Sequence, residues 1–158
     1  MTTKKFATSV AIVTLSAASM LAGIAIAKGP PKTVQITDLS ELTWSPLMKE
    51  AILPATAPIE GDAAKGAHFN YLKLGAGFES PPHSHTNDYW AVLVQGRMTH
   101  WAADGGSEKD AKIIGVGGLV HMPGKLVHVS KCYPGADCIM VSVQKGKNDF
   151  VPAPEAKK

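Results

Sequence analysis

Short runs of alternating apolar and polar residues fill the chain from residue 68 onward. The runs are rich in β-branched and aromatic residues, and Gly, Pro, Asn and Asp separate them at intervals of about ten residues, a pattern typical of a β-sandwich or barrel. The predicted strands are 68–74, 89–95, 98–102, 112–116, 119–122, 126–130 and 139–144. The sequence therefore predicts an all-β fold, a small antiparallel β-barrel or jelly roll.

The preceding segment has a weaker pattern. Residues 33–36 alternate enough to predict an edge strand. Further along, Pro46, Pro54 and Pro58 are expected to interrupt any long element. Between these prolines, residues 47–52 favour one or two helical turns.

The first 27 residues resemble a targeting segment more than part of a fold. Lys4 and Lys5 precede a mostly apolar stretch that closes with Ala25-Ile26-Ala27, the small-x-small pattern of a signal-peptidase site. An uncleaved membrane anchor is the alternative, because about 20 apolar residues can span a bilayer. We favour cleavage after Ala27, because the apolar stretch also contains Ser and Thr residues and ends in the small-x-small pattern. The mature protein, a single domain over 28–158, would then be periplasmic or secreted, with no membrane attachment.

The charge balance excludes some partners. Two of the 16 basic residues lie in the predicted signal peptide, which leaves 14 basic residues against 13 acidic ones. A nearly neutral chain lacks the electrostatic footprint of a nucleic-acid-binding protein. We therefore expect no nucleic-acid partner.

Cys132 and Cys138 are the two cysteines of the chain, and Pro134-Gly135 lies between them. A Pro-Gly pair favours a tight turn, so the cysteines are expected to face each other across a hairpin. An oxidising compartment permits a disulfide there. The alternative, a redox or metal-binding thiol pair, lacks a CxxC spacing.

The histidines carry the candidate chemistry. His83-Ser84-His85 is an HxH pair, and residues two apart on an extended strand point to the same side. Pro81 and Pro82 stiffen its approach. By itself the pair is a modest signal, because histidines at this spacing are often only exposed or hydrogen-bonded. We interpret His68 and His100 as surface or strand-pair residues.

The surrounding spacing resembles the first motif of the cupin superfamily, G-x5-HxH-x3/4-E-x6-G. It matches here at Gly77, His83, His85, Tyr89 and Gly96. Tyr89 stands where the cupin motif has Glu, so the usual carboxylate ligand is missing.

A second cupin motif, G-x5-PxG-x2-H-x3-N, is similar to Gly117, Pro123 and His128. The Gly that follows the motif's Pro is Gly124 here, one position earlier than in the cupin motif, and Cys132 replaces the motif's Asn. Together the motifs cover residues 77–132. The resemblance implies a cupin fold and one divalent transition metal on His83, His85 and His128. A site with three histidines and no carboxylate, as implied here, resembles the metal sites of diketone-cleaving cupins and of zinc-binding cupin domains in anti-sigma factors.

Three neutral imidazoles suit Zn, Fe(II), Ni or Cu, and do not favour Mg or Ca. The metal's fourth position is either open or filled by a protein ligand. The candidates for that ligand are His121, Glu79, Asp88 and Tyr89. As catalytic residues we expect Tyr89 or His121 to donate or accept a proton near the substrate.

Three functions stay open at this point. The first is a metal-dependent, dioxygenase-like enzyme acting on a small oxygen-chelating substrate such as a β-diketone, an enol or a hydroxy acid. The second is a protein that binds or senses a metal or small ligand without turnover. The third is a metal-free cupin whose histidines fill a polar pocket. By resemblance to cupins, a homodimer through the 33–36 strand is also expected.

Overall fold

A computed structural model describes residues 33–49 and 51–153. The predicted signal peptide, 1–27, lies outside the described residues. From Thr37 onward the chain forms one unit that contains all the described strands and two 3-10 helices, Leu39–Glu41 and Glu108–Asp110. The strands are β1 (Ser45–Met48), β2 (Ala51–Gly61), β3 (His68–Leu74), β4 (His83–Ser84), β5 (Tyr89–Gln95), β6 (Met98–Ala102), β7 (Leu119–Met122), β8 (His128–Cys132), β9 (Cys138–Gln144) and β10 (Val151–Pro152).

Two antiparallel sheets contain these strands. The larger sheet has the order β1-β2-β3-β9-β5-β7, and the smaller one has the order β10-β4-β8-β6. Buried residues of both sheets form one apolar core, in which Leu93 and Met140 of the larger sheet meet Met98 and Cys132 of the smaller one. The all-β antiparallel prediction is confirmed. None of the described helices has the length and apolar character needed to cross a membrane.

Most predicted strands are found where the alternation placed them. Four of them, 68–74, 89–95, 98–102 and 119–122, have the predicted bounds. The strand predicted at 126–130 begins two residues later, at His128. The one predicted at 112–116 is reduced to a single bridge between Ile114 and Met98.

The proline-containing segment is where the prediction was wrong. Residues 47–52, expected to be helical, contribute to β1 and β2, and β2 runs for 11 residues despite two prolines. The ladder between β2 and β3 shifts register between Pro58 and Glu60, and such irregularities are where a sheet tolerates proline. Residues 33–36 form no strand; Val34 and Ile36 are almost fully exposed there, and an alternating segment without a pairing partner gains no sheet hydrogen bonds.

The predicted disulfide between Cys132 and Cys138 is present. Both cysteines are fully buried, and Gly135 adopts a φ of 117° in the turn between them, a conformation that favours glycine. Since β8 and β9 belong to different sheets, the bond closes the connection that carries the chain from one sheet to the other.

Replacing Cys132 and Cys138 together by Ala should lower the free energy of unfolding by about 2 kcal/mol, because the short loop is no longer closed in the unfolded chain. Urea unfolding at neutral pH measures the change. Wild-type protein kept reduced is the matched control and should unfold near the variant's midpoint. A variant as stable as the oxidised wild type would contradict the expected role of the bond.

Candidate metal centre

Sheet pairing brings the HxH pair to His128. His83 of β4 pairs directly with His128 of β8, and residues that pair across antiparallel strands project to the same face. His85 follows β4 immediately. The ring centroids lie 4.4 Å apart for His83 and His128, 5.0 Å for His83 and His85, and 5.4 Å for His85 and His128.

The three rings present a set of converging nitrogens. One ligand nitrogen from each lies within 4.8 Å of the other two. His83 and His128 are buried, and His85 is partly exposed. The structure therefore brings together the three histidines that the sequence proposed as metal ligands.

Backbone carbonyls fix the orientation of all three rings. The Nδ1 atom lies 2.9 Å from the Pro81 carbonyl in His83, 3.0 Å from the Leu126 carbonyl in His128, and 2.5 Å from the Asp149 carbonyl in His85. A carbonyl oxygen only accepts hydrogen bonds, so each Nδ1 is assigned the proton and each Nε2 keeps a free lone pair. This arrangement, Nδ1 held by the protein and Nε2 free, is the usual one for a metal-binding histidine.

The Nε2 atom of His128 indicates that the three-histidine cluster suits a cation. It is buried and has no hydrogen-bond partner among the described residues. Leaving a buried polar atom unpaired is unfavourable. A transition-metal ion bound by the three Nε2 atoms would satisfy this one, so the residues fit such an ion.

Burial also keeps the two buried rings neutral. It lowers the pKa of His128 to about 4, with a smaller contribution from His83 and His85 and an opposing one from the Leu126 carbonyl. The pKa of His83 is lowered by burial as well. Because metals bind the neutral imidazole, both rings are in the ligand form at neutral pH.

The two candidate carboxylate ligands lie elsewhere. Glu79 pairs with Lys131, whose Nζ is 3.1 Å from its carboxylate. Asp88 accepts a hydrogen bond from the Gly124 N–H at 2.8 Å. Within the described part of the chain, the only cluster of potential metal ligands is the set of three histidines.

His121 and Tyr89 have different contacts around this cluster. His121 stacks on Trp90 with ring centroids 4.6 Å apart, and its Nε2 lies 3.6 Å from the Asp88 carboxylate. Its ring is thus held by partners outside the cluster. Tyr89 is buried with its ring edge-on to His85 at 5.3 Å. Burial raises the pKa of Tyr89 well above its usual range, so the phenol stays protonated beside the site.

The C-terminal segment supplies contacts that the sequence did not reveal. Phe150 stacks on His83 with centroids 4.4 Å apart, and the Asp149 carboxylate accepts hydrogen bonds from the Thr86 N–H and hydroxyl. Next to them, β10 pairs with β4. A carbonyl and a stacked ring require no particular spacing in the sequence, so no motif could have pointed to this segment.

The position of His100 beside the cluster was also not predicted from the sequence. It pairs with Ser130 across β6 and β8, as a strand-pair residue would, but it also lines a cavity of about 320 Å³ that reaches His128. Its ring centroid lies 6.1 Å from that of His128. Burial lowers the pKa of His100 to about 3. Residues two apart on a strand face the same side. The apolar Met98 at the start of β6 was therefore the available signal that His100 faces inward.

No protein-family model matches the chain, and no curated protein is similar to it at a significant level. Solved structures do match. An RmlC-like cupin protein from Ralstonia eutropha is 20% identical over 72% of this chain and 69% of its own, with a TM-score of 0.55. The polyketide cyclase RemF from Streptomyces resistomycificus is 14% identical over 79% and 89%, with a TM-score of 0.57. The DMSP lyase DddQ from Ruegeria pomeroyi is 16% identical over 75% and 64%, also with a TM-score of 0.57.

These likenesses establish the fold. The chain has the double-stranded β-helix fold of the cupins, and its three-histidine cluster fits a cupin metal site. The resemblance of the two sequence motifs to cupins is therefore confirmed for the fold.

The metal-free protein should lose stability as the pH falls from 7 to 5. A histidine whose pKa is about 6.5 when unfolded and lower when folded takes up a proton on unfolding, so acid favours the unfolded chain. A single group with the folded pKa of His128 changes the free energy of unfolding by roughly 1 to 2 kcal/mol over this range. Urea unfolding at several pH values measures the slope.

The matched control is His128→Leu, which should show a shallower slope than the wild type. Carboxylates contribute little here, since they stay ionised above pH 5. Equal slopes in the two proteins would show that His128 is not held neutral by its surroundings.

Proposed function

We propose that this chain is an exported cupin that binds one divalent transition metal through Nε2 of His83, His85 and His128. The observation that carries the proposal is the convergence of three free Nε2 atoms, one of them buried without a partner. Three neutral nitrogen donors fit Zn, Fe(II), Ni or Cu. The identity of the metal is open.

Export is part of the proposal. The sequence of residues 1–27 supports a cleaved signal peptide. The Cys132–Cys138 disulfide is in keeping with an oxidising compartment, such as the periplasm or the cell exterior.

Enzymatic turnover of a small oxygen-chelating molecule is the activity we favour. When bound, a divalent metal without a carboxylate ligand would act as a Lewis acid toward oxygen donors. The cavity beside His128 would bind the substrate against the apolar side chains of Ile114, Val120 and Met122. The phenol of Tyr89 lies next to His85 and is one residue proposed for hydrogen bonding or proton transfer to the substrate. His121 also lines this cavity, with its ring stacked on Trp90, and is the second residue proposed for proton transfer.

Two structural neighbours support an enzyme, since one is a polyketide cyclase and another a DMSP lyase. Binding without turnover is the second candidate. It is favoured by the lack of a carboxylate in the described cluster and by the raised pKa of Tyr89, which leave no strong base at the site.

Elemental analysis of mature protein produced without a His-tag should find about one transition-metal ion per chain. His83→Ala should lose this metal while keeping the circular dichroism spectrum of a β-protein, because His83 contributes a ligand and little to the core. His121→Ala is the matched control and should retain the metal. Wild-type protein that neither contains nor takes up Zn(II) or Fe(II) would remove both candidate functions.

Turnover separates the two candidates. Metal-loaded wild type incubated with β-diketones, enols and hydroxy acids, and followed by mass spectrometry, should consume one class if the chain is an enzyme. Binding of these compounds with no product would favour the binding protein.

Phe150→Ala should weaken metal affinity by no more than about tenfold, the low end for hydrogen-bonded partners that orient ligands, because its half-exposed ring holds His83 by stacking alone. Competition with a chromogenic zinc chelator measures the affinity. Val151→Ala, an exposed change on neighbouring β10, is the control and should leave it unchanged. An unaltered affinity in Phe150→Ala would mean that the stacked ring does not help to hold His83.

A further inference from the structure

The feature that the proposed metal site does not use is His100. Ala102 of β6 pairs with His128 of β8, so these two residues project to the same face of the smaller sheet. His100 precedes Ala102 by two positions and therefore shares that face. It is a diagonal neighbour of His128, and both side chains border the same cavity.

The Nε2 atom of His100 is buried and has no hydrogen-bond partner among the residues that the structure describes. Ile114, Val120 and Met122 form an apolar part of the cavity wall and cannot pair with an imidazole nitrogen. Thr99 and His121 also line the cavity, but neither makes a hydrogen bond to this Nε2. A leucine would pack there without an unpaired polar atom, so His100 lowers stability unless something enters the cavity and pairs with it.

His100 is also distinct from the metal cluster. Only His83, His85 and His128 have ligand nitrogens within 4.8 Å of one another. His100 thus lines the cavity beside the three proposed ligands without belonging to the ligand set.

We propose that His100 recognises the ligand of this cavity by pairing with a hydroxyl group of a small oxygen chelator. The inference rests on the proposed metal site, which would hold the chelating oxygens. A hydroxyl both donates and accepts, so it satisfies Nε2 in either tautomer of the ring, whereas a ketone oxygen satisfies only one. The apolar part of the wall, at Ile114, Val120 and Met122, favours carbon in the rest of the ligand. Among the candidate substrates, this selects hydroxylated or enolic compounds over plain diketones.

Two hydroxamates test this recognition. Glycolohydroxamate and propionohydroxamate chelate a metal through the same two oxygens and differ by a hydroxyl in place of a methyl group. Isothermal titration of zinc-loaded wild type should show about five- to tenfold tighter binding of glycolohydroxamate, the worth of one hydrogen bond to a buried group. His100→Leu should lose or reverse this preference. His100→Gln, which places a polar atom near the original Nε2, should retain part of it.

Two further measurements separate recognition from a structural or ligand role. His100→Leu should bind as much zinc as the wild type, and its metal-free form should melt at the same temperature or higher, because a buried unpaired nitrogen is removed. Loss of zinc, a lower melting temperature or failure to fold in His100→Leu would overturn the proposal. So would an unchanged hydroxamate preference with zinc bound, in which case the metal site itself would stand. Wild type that binds no zinc would instead remove the proposed function.

Discussion

Three hydrogen bonds from imidazole Nδ1 atoms to backbone carbonyls are the constraint on which the site depends. The carbonyls belong to Pro81, Leu126 and Asp149, and each forces its histidine into the tautomer with a free Nε2. Two of the carbonyls lie two residues before the histidine they hold, so they act within one short stretch of chain. The third comes from the C-terminal segment. The site therefore requires that this segment be docked as well as that the two sheets be paired.

Sheet topology explains why the ligands could be predicted from the sequence. The HxH spacing places His83 and His85 two residues apart at β4, and the second motif places His128 at the start of the strand that pairs with it. Alternation with regular turns predicted most strands between 68 and 144, because half-buried strands must alternate to cover a core. Local pattern and long-range pairing agree there, and the prediction was correct where they agree.

Other parts depend on contacts that leave little trace in the sequence. Pro54 and Pro58 indicated a break, yet β2 forms because strands on both sides pair with it and a register shift accommodates Pro58. Asp149 contributes a carbonyl that any residue could supply. His100 lies outside both motifs, and only its pairing partner reveals that it shares the cavity with His128.

Nuclear magnetic resonance of the imidazole nitrogens tests the central claim most directly. In metal-free protein at neutral pH, a long-range ¹H–¹⁵N spectrum should show His83 and His128 as neutral rings protonated at Nδ1. One equivalent of Zn(II) should then shift the Nε2 resonances of His83, His85 and His128. A proton on Nε2 of His83 or His128 in the metal-free protein, or a zinc-induced shift in fewer than three rings, would contradict the proposed metal centre.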